Sequence, residues 1–193
     1  MASVIRLTAR IVAAFTRIQE VLFFHSERSD ASPVHRIAEL SRSDLELIQS
    51  DPKRPWAGEL GDASWFENGG RLYALEREGV YVSFGWAMTS NKFHVGEVGG
   101  VVRLARNVLW IWNCFTPPEY RGAGHYPTLL RGIRHALANP PTMIYCVREN
   151  RASRRGIMNA GFEDAFSIMR HRLFVVCRNN VSRLYAGYSP GKR

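Results

Sequence analysis

The sequence predicts one mixed α+β domain, in which an antiparallel meander passes into a strand–helix–strand unit and helices flank the sheet. From Gly70 onward β-rich runs follow one another at short intervals, "RLYALERE", "VYVSFGWAM", "EVGGVVRL" and "NVLWIWNCF". Next comes a proline–glycine break, a helical run with apolar Leu129, Leu130, Ile133 and Leu137, and a short strand, "TMIYCV". Strand, helix and strand in that order imply a parallel pair at this point. The third observation is size: 193 residues, 46% apolar and 22% charged, supply one sizeable core and not two full domains.

The first segment, "SVIRLTARIVAAFTRIQEVLFF", places Val4, Leu7, Ile11, Ala14, Ile18 and Val21 at helical spacing, with Arg6, Arg10 and Arg17 on another side. The reading is an amphipathic helix over residues 1–30, followed by the main domain at 31–193. Such a helix can be a strut packed on the sheet, a contact in a homodimer, or a peripheral membrane anchor; packing is the default. The lack of an acid before Glu20 also suits an import presequence. A second helix is expected in "SDLELIQS", capped by Ser43 with Glu46 three residues on. The β runs are parted by Gly79, by "TSNKFHVG" and by "RLARN". After "TMIYCV" a helix over "RASRRGIMNA" stops at Gly161, and a β run, "FSIMRHRLFVVC", leads into a polar tail.

Composition excludes several classes. Cys114, Cys146 and Cys177 are odd in number, widely spaced and set in apolar runs, which suits buried thiols better than disulfides or a zinc site. A reducing, cytoplasmic setting is therefore expected, and no metal. No apolar run approaches the roughly 18 residues of a membrane span, so no transmembrane segment is expected. Charge is uneven: residues 1–96 carry 11 Lys or Arg against 12 Asp or Glu, whereas residues 97–193 carry 15 against 5. The basic residues are 23 Arg to 3 Lys, and a guanidinium suits bidentate contact with phosphate. A solvated face and an anionic partner account equally for this excess. The β runs lack the alternating aromatic and basic pattern of RNA-recognition sheets, so no nucleic-acid partner is expected; a salt-dependent association remains the alternative.

The break itself, "CFTPPEYRGAGHYPTLL", carries the chemistry. Pro117 and Pro118 end the strand because they cannot donate to its ladder, while Gly122 and Gly124 let the chain turn with bare amides. Pro127 is tolerated only in a helix's first turn, so that helix starts near Ala123 or Gly124. The amides of Gly122, Gly124, His125 and Tyr126 then point out at the positive end of a helix dipole, an arrangement that binds phosphate. There is no G-x-x-x-x-G-K-[ST] loop, and a dinucleotide fingerprint would need glycine where Pro127 stands.

The stretch resembles the pyrophosphate loop of the GCN5-related N-acetyltransferases (GNAT), Arg or Gln, two residues, Gly, one residue, Gly or Ala, with Arg121, Gly124 and Tyr126 in those places. Tyr126 departs from the small residue usual there. A second stretch, "VRENRASRRGIMNAGF", resembles the family's later motif, matched by Asn150, Ser153, Gly161 and Phe162. The resemblance covers roughly residues 35 to 175 in element order. It implies a mostly antiparallel sheet whose parallel central strands splay to admit acetyl-CoA. It further implies cofactor contacts from Phe115, Thr116, Arg121, Gly122, Ala123, Gly124, His125, Tyr126, Asn150, Ser153 and Arg154, with the backbone at Phe115 and Thr116 pairing with the pantetheine arm.

The reaction implied is transfer of an acetyl group from acetyl-CoA to a primary amine on a small molecule, an amino sugar included, or on a peptide. An acyl-CoA-binding regulatory module without turnover is the alternative from another class. Transfer needs a neutral amine and a donor for the leaving thiolate. The family's tyrosine acid would stand five residues before Phe162, where this chain has Ile157. For the base, Glu119 lies on the cofactor side of the loop, Glu149 caps the next helix or faces away, and Glu163 and Asp164 are solvated. Elimination leaves Glu97, with His94 as the alternative and Asn113 able to orient a water.

Overall fold

The computed structural model describes residues 19–27, 36–170, 175–179 and 185–190. The elements run β1 (Gln19–Ser26), β2 (Ile37–Leu40), α1 (Arg42–Ser50), β3 (Arg71–Arg77), β4 (Val80–Val95) and β5 (Gly100–Phe115). They continue with α2 (His125–Ala136), β6 (Thr142–Val147), α3 (Arg151–Asn159), β7 (Glu163–Arg170), β8 (Val175–Asn179) and β9 (Tyr185–Pro190). One nine-stranded sheet has the order β2-β3-β4-β5-β6-β1-β7-β8, and β9 pairs with β5. The pairings are antiparallel except for β5 with β6, which run parallel as the strand–helix–strand pattern requires.

The first correction falls on the N-terminal segment. Residues 19–26, read as the end of an amphipathic helix, are instead strand β1, inserted between β6 and β7. The continuous run Val21–Phe24 explains why. Val21 and Phe23 pack under the β4–β5 hairpin, while Leu22 and Phe24 pack under the helices. A segment needing burial on both faces fits a central strand. Residues 1–18, which carry the rest of the predicted helix, lie outside the described residues.

Smaller differences follow local chemistry. Helix α1 is capped two residues earlier than expected, by Ser41 and Asp44: the Asp44 amide donates to Ser41 Oγ at 3.2 Å, and the Ser41 amide donates to Asp44 Oδ2 at 2.8 Å. The runs "EVGGVVRL" and "NVLWIWNCF" are one 16-residue strand, because "RLARN" continues it with Arg103, Ala105 and Arg106 exposed. Strand β2 was not anticipated, and the tail contributes β9, which pairs with the outer part of β5.

Three apolar clusters hold these layers. Leu129, Leu130 and Ile133 of α2 and Ile157 of α3 are fully buried against one face, each worth roughly 1.5–3 kcal/mol in burial. The outer half of the β4–β5 hairpin packs Val95, Val98 and Val102 over the other face, on Phe23, Phe166 and Ile168. Its tip is pinned because Arg170 Nη1 and Tyr188 Oη both donate to the Val98 carbonyl at 2.8 Å. Near the other end of β5, Phe84 opposes Phe115 but Trp86 opposes Trp112, so β5 carries one extra residue. Asn113 absorbs it at φ 43°, a bulge that bends the strand. Pairing of β5 with β6 stops just before it, at Ile111 and Ile144, and the two strands diverge.

Candidate active site

The cleft opened by this divergence is one cavity of about 990 Å³. Its walls include Asn113 and Cys114 from β5, Tyr145 and Cys146 from β6, Tyr126 from α2, and Asn150 and Ser153 at the head of α3. Glu97 and His94 line the same cavity from the hairpin. The cavity thus holds the three catalytic candidates together with Tyr126, Asn150 and Ser153, whereas Phe115, Thr116, Arg121, Gly122, Ala123, Gly124, His125 and Arg154 are not among its lining residues.

At the loop, Gly122 has φ 86° and Gly124 φ 76°, and nothing lies within 4 Å of a Cβ built on either. Gly124 is the N-cap of α2 and supplies no side chain to its first-turn amides. An exposed turn of bare N–H groups at a helix N-terminus fits a diphosphate. Arg121 braces the loop: its Nε donates to the Thr116 carbonyl at 2.9 Å and its guanidinium lies 5.7 Å from the Phe115 ring centre. Ser83 Oγ reaches Thr116 Oγ1 at 2.8 Å and the Phe115 carbonyl at 3.4 Å. The carbonyls of Phe115 and Thr116 are therefore already engaged within the protein. Ala123 is exposed in the turn, and His125 opens α2 half-buried.

Helix α3 begins as a cap. Asn150 Oδ1 accepts from the Ser153 amide at 3.0 Å, and Ser153 Oγ meets Tyr126 Oη at 3.2 Å. The Tyr126 ring lies where a Cβ on Gly156 would come within 2.4 Å of it, so the glycine makes room for the tyrosine. Burial keeps the Tyr126 phenol well above its usual value, and the neighbouring Cys114 thiol adds to this. Burial likewise raises Cys114 to about 12 and Cys146 to about 11, so both are protonated at neutral pH. The side chain of Cys177 lies outside the described residues. Arg154 is turned to Asp164 of β7 at 3.8 Å.

At the far end, Glu97 sits in the turn between β4 and β5, half-buried and beside the Tyr145 phenol. Burial first, then the Glu97 charge, raises the Tyr145 phenol well above its usual range. His94 is exposed on β4, opposite Val101. Asn113 Nδ2 donates to the Glu59 carbonyl at 3.1 Å, so its amide ties β5 to the preceding loop. Glu119 accepts from Trp56 Nε1 at 3.1 Å, and Glu149 and Glu163 are exposed, as the elimination expected. Ile157 is buried in the core and cannot serve as an acid. Sequence reasoning missed the Tyr145–Glu97 contact, and with it Trp65, Phe93, Lys92 and Arg103 on the cavity wall. Only strand register, which the sequence does not print, brings them there.

No protein-family model and no curated protein matches the chain. Solved structures do. A GNAT-family acetyltransferase from Novosphingobium aromaticivorans aligns at TM-score 0.55 and 19% identity, over 80% of this chain and 63% of that one. One from Colwellia psychrerythraea aligns at 0.54 and 12% identity, over 91% and 62%. A GCN5-related N-acetyltransferase-like protein from Streptococcus suis aligns at 0.51 and 13%, over 91% and 67%. This chain thus spans under two thirds of the length of the first two. At these identities the likeness is one of fold: the chain has the GNAT fold.

Proposed function

We propose that the protein is an acetyl-CoA-dependent N-acetyltransferase acting on a primary amine. The observation that carries this reading is the continuity of the cleft: one cavity runs from the head of α3 and Tyr126 beside the glycine loop to a half-buried carboxylate, Glu97. Acetyl-CoA would supply an acyl thioester, a group activated toward amines. The amides of Gly122 and Gly124 and of the first turn of α2 would hold its diphosphate, with Arg121 bracing them. The divergence of β5 and β6 beyond the Asn113 bulge leaves strand edges able to receive an extended arm.

Two proton tasks fall to this chain's own side chains. Glu97 receives the proton of the incoming ammonium, directly or through one water, with the Tyr145 phenol beside the carboxylate. Tyr126, kept protonated by burial, donates a hydrogen bond to the departing sulfur. Tyr126 lines the cleft, with its hydroxyl 3.2 Å from Ser153 Oγ, whereas Ile157 at the family's tyrosine position is buried. Incubation with acetyl-CoA and a panel of primary amines, with free thiol as readout, tests the reading. Amine-dependent thiol release is expected; thiol release no faster with any amine than without, together with no thermal stabilisation by acetyl-CoA, overturns it.

A further inference from the structure

The wall around Glu97 is charged and shaped in a way that selects among amines. Trp65, Trp112, Phe93 and Tyr145 form a belt of half-buried rings, with centroid separations of 5.9, 5.3 and 5.9 Å in that order. All four line the cavity. Partly exposed rings in a concave site are suited to a flat apolar body, and to an ammonium brought against their faces. Glu97 is the only carboxylate among the lining residues.

The basic residues supply the second, independent observation. Lys92 and Arg103 are direct cross-strand partners on β4 and β5, both exposed and both on the cavity wall. Like charges directly opposite each other destabilise a strand pair. Among the described residues neither has an ion-pair partner, although seven other arginines of the chain do. A pair of unneutralised cations held together beside a cavity is suited to an anionic group.

We propose that the acceptor is a primary amine on a flat apolar body that also carries an anionic group. The inference rests on the acetyl-transfer reading for the fate of the amine, but not for its recognition. The ammonium faces Glu97, the flat body lies against the ring belt, and the anion meets Lys92 and Arg103. A polycationic amino sugar is the acceptor this wall rejects, since one carboxylate faces two cations and the rings offer a polyol no partner.

Calorimetric titration of the full chain, without acetyl-CoA, tests this with four probes. The tripeptide Gly-Trp-Glu and an aminomethyl-naphthoate carry all three features, tryptamine lacks the anion, and kanamycin has several amines and no ring. Binding of either three-feature probe, about tenfold tighter than tryptamine, with no heat from kanamycin, is expected. Binding of the tripeptide alone assigns a peptide terminus, and of the naphthoate alone a small molecule. Both cations are exposed, so the double variant Lys92→Ala, Arg103→Ala keeps the fold; it should bind the three-feature probes no better than tryptamine. Tighter binding of kanamycin, no heat from either three-feature probe, or an unchanged preference in the double variant overturns the proposal. Acetyl-CoA titrated separately separates the two readings. Heat from acetyl-CoA without heat from the amines sinks only the acceptor class, and the reverse sinks only the acetyl-transfer reading.

Discussion

The loop beside one end of the cavity and the hairpin at its other end are made of different materials. At the loop the groups offered to a ligand under the proposed reading are main-chain amides, presented by glycines at positive φ over the start of α2. At the hairpin end they are side chains, Glu97, Lys92, Arg103 and a belt of rings, brought together from the 62–70 loop, β4, β5 and β6. An amide cradle serves one ligand chemistry and tolerates little change of backbone. A wall of side chains can be retuned residue by residue while the fold stands. The difference predicts that backbone changes at one end abolish cofactor binding, whereas side-chain changes at the other alter rate and acceptor choice.

Substitutions can break or sharpen that contrast. The largest effect expected is on rate: Glu97→Gln should lower kcat by about 10²-fold or more with acetyl-CoA affinity unchanged, measured by steady-state kinetics alongside titration. Gly124→Val forces a β-branched residue into φ 76°. That variant should lose the roughly 2.7 kcal/mol of stabilisation that acetyl-CoA at about 100 times its Kd gives the parent, read as a thermal shift. Tyr126→Phe keeps the ring on Gly156 and removes only the hydroxyl, so kcat should fall about tenfold with the melting temperature little changed. Asn150→Ala removes the cap of α3 and should cost about 1 kcal/mol, lowering Tm by about 2–4 °C.

The smallest effect concerns pH and lies outside the cavity. Hydrogen bonds from the Ser41 hydroxyl and amide hold Asp44 below its usual value. A depressed folded-state value means that this contribution is present above the unfolded value of about 4 and is lost as pH falls through the folded one. Asp44→Asn should flatten that part of the stability profile below pH ~4 and leave neutral-pH turnover alone.

Legibility followed the same division. The break at Pro117 and Pro118, the turn glycines and the limit set by Pro127 are local rules, and they placed the start of α2 within a residue or two of His125. Strand β6 was legible for the same reason, whereas the cap of α3 is Asn150 and not its neighbour Glu149. Strand β1 was not. Its apolar residues Val21 and Phe24 are three apart and suit a helix, and only the presence of β6 and β7 on either side decides for a strand. The Tyr145–Glu97 contact and the Lys92–Arg103 pair depend on register across the long hairpin and on the bulge at Asn113. Glu97 and Tyr145 stand 48 residues apart, and Lys92 and Arg103, though only 11 apart, are paired by the register of the hairpin alone. Glu97 could be nominated by elimination, but its neighbour Tyr145 could not.

The central claim is that the glycine loop at the mouth of α2 holds acetyl-CoA, and calorimetric titration of acetyl-CoA tests it most directly. The account predicts saturable binding to the parent chain, equal binding to the Lys92→Ala, Arg103→Ala variant, and none to Gly124→Val. No heat with the parent chain, or equal binding by a folded Gly124→Val protein, would contradict it.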